Sequence, residues 1–200
     1  MTLDEYLEGL ASDAPTPGGG SASAIAGALG AALVAMVARI TARNTKDAAK
    51  RERAGALAAE ADALRLAFQT LRIEDEKAFE GVVAAQALPR STDDERAART
   101  AYLQRALGAA CEAPLACARH ALDALALTER AGALENRHLM SDVGCAGEFA
   151  VAALRGAAYN VRANHPWLAD PALTARNERE LQALASSGDA ALLRIRALTP

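Results

Sequence analysis

Two hundred residues make one domain, or at most two small ones, with enough chain to bury a core. Fifty-three are alanine, about half of the 52% hydrophobic fraction, and only 4% are aromatic; strands favour β-branched and aromatic residues, so an all-β fold is excluded and a parallel α/β sheet disfavoured. A net charge of −3 without a basic stripe argues against a general nucleic-acid binder.

Thr2-x-x-Glu5 is a capping box and predicts a short helix from Leu3 to about Ala11, with Leu3, Tyr6, Leu7 and Leu10 as its apolar stripe. Pro15-Thr-Pro17 and Gly18-Gly19-Gly20 then break regular structure. Ser21 is the expected cap of a second helix running to about Arg43. Gly20, Ala24, Ala28 and Ala32 form one small-residue row on it, and Gly27, Ala31 and Ala35 form another. Two such rows imply two closely packed neighbours, which puts this helix at the centre. Its uncharged apolar run, Ala24–Ala38, has 15 residues, short of the ~20 needed to span a bilayer, so a buried core helix is expected and no membrane partner.

Residues from about Asp47 to Leu88 read as one long helix, with Leu57, Leu64, Phe68, Leu71, Asp75 and Phe79 in phase and Gly55 as its weak point. Thr92-x-x-Glu95 is a second capping box, opening a helix that Pro114 should kink but not end. Gly132–Met140 reads as loop or turn. Ser141 should cap a fifth helix, Asp142 to Asn164, stopped by His165-Pro166. Asp170-Pro171 starts a last helix expected to reach about Ala185, where Ser186-Ser-Gly-Asp189 breaks or bends it. No repeat or linker interrupts residues 1–200, which read as a single all-α domain, a bundle of long antiparallel helices. Forty-residue helices are ~60 Å long, too long for one such chain to cover, so a homodimer is expected. Cys111, Cys117 and Cys145 lack CxxC spacing, which fits a reducing cytoplasm rather than a disulfide framework. The acidic, amphipathic start is unlike a signal peptide.

Four features carry candidate chemistry. The Gly18-Gly19-Gly20-Ser21 turn enters a helix N-terminus, whose free N–H groups suit an anion or polar ligand edge; the alternative is a tight helix connection. It matches neither a P-loop nor GxGxxG. Asn160 and Asn164 share a face at i, i+4, and amides can bind a heterocycle edge; the alternative is C-terminal capping by Asn164. Asp75 falls on the apolar face of its helix, where a carboxylate is costly unless paired, which makes it the leading candidate acid. A structural ion pair is its alternative; Glu74, Glu76 and Lys77 should face water. Asp142 is either functional or a first-turn acid offsetting the helix dipole. In a continuous helix it lies ~27 Å from Asn160, so a long ligand, separate sites or a dimer would be needed to join them. No metal site is expected: Cys117 and His120 are i, i+3 without a second ligand pair. Nor is there a nucleophile elbow or a convincing Ser/His/Asp or Cys/His set. Arg outnumbers Lys by 19 to 3, and guanidinium suits carboxylate ligands.

In order, Ser12–Ser21, Gly27–Val37, Asp75-x-x-Ala78-Phe79 with Leu88-Pro89, Pro114–Cys117, Ser141-Asp142-x-Gly144 and Asn160-Val-x-x-Asn164 resemble the cyclodeaminase/cyclohydrolase family of folate enzymes. Asn136–Met140 departs from the Gly-Asn-like approach to the Ser-Asp pair. The resemblance implies an all-helical homodimer acting on one-carbon tetrahydrofolate, with no cofactor beyond the reduced folate substrate. It implies either methenyltetrahydrofolate cyclohydrolase, the favoured activity, or formimidoyltetrahydrofolate cyclodeaminase. On that chemistry we expect Asp75 to be the general acid/base, Asn160 and Asn164 to bind the pterin or orient the reacting carbon, and the Gly18–Ser21 turn to contact the ligand through backbone N–H. Asp142 becomes a second polar contact or a cap, and exposed Arg residues could meet the glutamate tail. A non-catalytic helical binding protein is the remaining alternative.

Overall fold

The computed structural model describes residues 2–199, and those residues are helical without a strand. The helices are α1 (Leu3–Leu10), α2 (Gly19–Asn44), α3 (Ala48–Ala87), α4 (Asp93–Gly132), α5 (Met140–Asn164) and α6 (Pro171–Leu198). Short 3-10 turns at Arg137–Leu139 and His165–Trp167 lead into and out of α5. Both capping boxes form, at Thr2/Glu5 and Thr92/Glu95, and Asp47 and Asp170 cap α3 and α6. Short connections make α2 to α6 run antiparallel in succession.

The small-residue helix α2 is central, packing on α3, α4 and α5. A Cβ at Gly27 would overlap the Phe68 ring of α3. One at Gly30 would lie 3.0 Å from the Ala146 carbonyl of α5. Helix α2 thus has two close neighbours, but not one row for each: Gly20 and Gly27, one from each row, both face α3, and Gly30, which meets α5, lies in neither row. By length and composition α2 could cross a membrane, but Ala31, Val34, Ala35, Val37 and Ala38 are buried in this core. Phe68, Leu57, Leu115, Leu125, Leu154 and Ile195 fill the space the alanines leave.

Three expectations need correction. Helix α2 starts at Gly19, with Gly18 as a cap that makes no side-chain bond, so Ser21 lies inside the helix. Helix α5 starts at Met140 behind the 3-10 turn, and Ser141 is exposed within it rather than capping it. Helix α6 runs through Ser186–Asp189 to Leu198. Gly188 is a contact there, not a breaker: an added Cβ would come 2.8 Å from Leu154 Cδ1. Ala191, Leu192 and Ile195 beyond it are buried, and that burial outweighs the weak local propensity.

Part of the arginine excess bridges helices. Arg130 pairs with Glu60, Arg119 with Glu180, Arg162 with Glu178, Arg155 with Asp189 and Arg196 with Glu148. Gln104 of α4 donates to the Trp167 carbonyl (3.0 Å) and accepts from the Ala169 N–H (2.7 Å). That clamp fixes the end of α5 where Asn164 sits.

Candidate active site

At one end of the bundle, the start of α2, the C-terminal half of α3 and the end of α5 meet around a cleft of about 160 Å³. Gly18, Gly19 and Gly20 form one wall, Asp75 and Phe79 another, and Asn160 and Asn164 a third, with Pro15 and Thr16 at the rim. Residues separated by 55 or more positions in sequence thus converge on one space.

Asp75 lies flat against the first turn of α2. A Cβ at Gly20 would overlap its carboxylate, so only glycine admits this approach. The carboxylate accepts the Ser21 backbone N–H. Burial pushes the Asp75 pKa above the ordinary carboxylate value; the Ser21 N–H works against that shift and the Glu76 charge adds to it. Behind it, burial and then the Asp75 charge push the Cys117 thiol up to about 12.

The first N–H groups of a helix have no intrahelical acceptor. The Ser21 N–H goes to Asp75, and those of Gly19 and Gly20 stand at the cleft wall. Asn164 Nδ2 donates to the Ala110 carbonyl of α4 (3.1 Å) and to the Asn160 carbonyl (3.0 Å). Both amide hydrogens are used, so Oδ1 is what it offers a ligand. The capping alternative is therefore realised in part, since one bond holds the last turn of α5. Asn160 Nδ2 donates to the Gly156 carbonyl at 2.8 Å, while its amide sits beside Gly19.

Two expected site residues lie elsewhere. Ser21 is fully buried behind the cleft, its hydroxyl 3.0 Å from the Tyr6 hydroxyl and 2.8 Å from Glu76 Oε1. Asp142 sits in the first turn of α5, at the opposite end from Asn160, as a half-buried first-turn acid. A single chain does not bring it to Asp75. Glu76, expected in water, is half-buried and engaged by Ser21 and Arg72. Phe79 and Pro15 were not singled out for the site; the i, i+4 spacing of Asp75 and Phe79 was the available signal. No three His, Cys, Asp or Glu side chains converge as a metal site among the described residues.

A larger groove of about 530 Å³ lies between α1, α2 and α3. Its walls are mainly apolar, including Leu3, Ile25, Leu29 and Ile73, with Arg65 and Arg72 among them. It holds no carboxylate, so size alone does not make it the reaction site.

The formiminotransferase-cyclodeaminase family model matches residues 2–183. A methenyltetrahydrofolate cyclohydrolase of Methylorubrum extorquens is 40% identical over 189 residues, covering 94% of this chain and 91% of that protein. The formimidoyltransferase-cyclodeaminase of Sus scrofa is 28% identical over 186 residues, covering 91% of this chain and 34% of that longer protein. The crystal structure of formiminotetrahydrofolate cyclodeaminase from Thermotoga maritima aligns with a TM-score of 0.87 at 26% identity, over 99% of this chain and 95% of that one.

Proposed function

We infer that this chain, which belongs to the formiminotransferase-cyclodeaminase family, is a methenyltetrahydrofolate cyclohydrolase. The observation that carries the choice is the 40% identity, over nearly the full length of both chains, to a protein of that name. The cleft supplies groups suited to the chemistry. Water adds to the amidinium carbon of 5,10-methenyltetrahydrofolate, giving a tetrahedral carbon. The C–N5 bond then breaks as N5 takes a proton and the new hydroxyl releases its own to solvent to become the formyl oxygen, and 10-formyltetrahydrofolate leaves.

Asp75 takes the proton from water and returns one to the leaving nitrogen. Its raised pKa brings it closer to neutrality, where transfer in both directions is efficient. The Gly19 and Gly20 N–H groups donate to the polar edge of the ligand or to the oxygen that forms on the reacting carbon. Asn160 and Asn164 orient the pterin. The reaction as written needs no metal and no redox cofactor. Asp142 has no part in this set within one chain.

The cleft is smaller than the ~300 Å³ at which small-molecule sites usually begin. It therefore takes the reacting ring system, and the aminobenzoyl-glutamate end lies outside it. A homodimer is the assembly we favour. Leu3, Leu29 and Ile73 are large apolar groups 66%, 49% and 40% exposed around the groove of α1, α2 and α3, a face that a second copy would cover. Free thiols at Cys111, Cys117 and Cys145 suit a reducing, cytoplasmic setting.

Cyclodeamination is the second reading, favoured by the likeness to the Thermotoga maritima structure. Ammonia release separates the two. The cyclohydrolase reading expects none from 5-formimidoyltetrahydrofolate; steady release with turnover would replace it by the second. A helical protein without activity would release none either, and would gain no thermal stabilisation from any reduced folate.

A further inference from the structure

Behind the cleft, four side chains close a ring of contacts. The Ser21 hydroxyl donates to Glu76 Oε1 at 2.8 Å. Having one hydrogen, it must accept from Tyr6, whose hydroxyl is 3.0 Å away. Arg72 Nη1 donates to the same Glu76 oxygen at 2.8 Å. The Arg72 guanidinium carbon lies 5.8 Å from the centre of the Tyr6 ring and closes the ring. Tyr6 is 4% exposed and Ser21 is 0% exposed.

The ring does two things at once. Tyr6 is the one buried residue of α1, so its hydroxyl pegs that helix to the first turn of α2. That closes the loop containing Pro15 and Thr16, the cleft rim. Ser21 meanwhile gives its hydroxyl to Glu76 and its backbone N–H to Asp75, so consecutive carboxylates of α3 grip one residue of α2. Moving Ser21 would move the Gly19 and Gly20 N–H groups and the bond to Asp75 together.

We propose that Tyr6, Ser21, Glu76 and Arg72 form a positioning ring that holds the first turn of α2 against Asp75, with Tyr6 and Glu76 setting the geometry and charge of the acid/base group without touching substrate. This rests on Asp75 being the acid/base of the proposed reaction.

The charge environment makes the idea testable. On α3, Asp75 has Glu76 beside it and Arg72 bonded to Glu76. Facing it are Tyr6 from α1 and Cys117 from α4, whose pKa values are both raised by burial, so both are neutral near pH 7. The α2 turn and the end of α5 present glycine, serine and asparagine. Glu76 is thus the negative charge acting on Asp75, and removing it should lower the Asp75 pKa.

Three variants, Glu76→Gln, Tyr6→Phe and Asp75→Asn, should be assayed on 5,10-methenyltetrahydrofolate across pH. Glu76→Gln keeps an acceptor for Ser21 and should move the Asp75-linked limb of the kcat profile to lower pH. Tyr6→Phe keeps the packing and should lower kcat about tenfold with KM nearly unchanged. If both keep the wild-type profile and kcat while Asp75→Asn is inactive, the ring is structural and the proposal falls alone. If Asp75→Asn keeps full turnover, the acid/base reading falls and the proposal with it. Should Glu76→Gln fail to fold, the kcat-against-KM result for Tyr6→Phe decides.

Discussion

Asp75 connects the residue-scale observations. Its burial, which the bond to Ser21 offsets only in part, raises its pKa and makes it a cost to the fold when ionised. Its folded pKa lies above its unfolded one, so the folded state holds that proton more tightly. The stability it contributes is complete below the unfolded value and is lost as pH rises through the folded one. Asp75→Asn should therefore flatten the decline of Tm across that interval and leave Tm at neutral pH undiminished. The same variant should lose about a hundredfold or more in turnover. Thermal melts and rates on one preparation check both, and a large loss of Tm with activity retained would contradict the assignment. Sequence pattern found Asp75 because an acid stood in a row of Leu and Phe. It could not place Glu76 or Ser21. One residue along a helix turns the side chain by about 100°, and which neighbour fills that direction depends on where α1 and α2 lie.

At the scale of elements, glycine positions separate contact from convenience. Gly27 faces the Phe68 ring, whereas a Cβ at Gly55 would meet nothing within 4 Å. Gly27→Ala should cost about 1–3 kcal/mol by overpacking. Gly55→Ala, exposed within α3, should gain about 0.5–1 kcal/mol from helix propensity. Denaturant melts of the two check this, and equal effects would contradict the packing described for α2. Helix starts marked by side-chain caps, at Thr2, Asp47, Thr92 and Asp170, were legible because the cap is local chemistry. The entries to α2 and α5 were not, since Gly18 and Leu139 make no side-chain cap bond. The length of α6 was hidden for the opposite reason: Gly188 reads locally as a breaker, and only Leu154 of α5 shows why a small residue is needed there.

For the whole molecule, the alanine content sets the helix spacing and the helix ends make the cleft. Three of its walls come from segments the sequence had marked separately, and only folding joins them. Asp142 was marked too, but α5 holds it a helix length away. The exposed apolar groove predicts that the 20.7 kDa chain sediments as a species of twice that mass. Leu29→Glu, on that groove, should shift it to the single mass; a wild-type chain already monomeric at micromolar concentration would remove the dimer. The central claim is the reaction itself. Loss of the near-UV absorbance of 5,10-methenyltetrahydrofolate in neutral buffer, with and without the purified wild-type chain, tests it most directly. The account predicts protein-dependent loss far above the spontaneous rate, ending in 10-formyltetrahydrofolate. A decay no faster than buffer alone would contradict it.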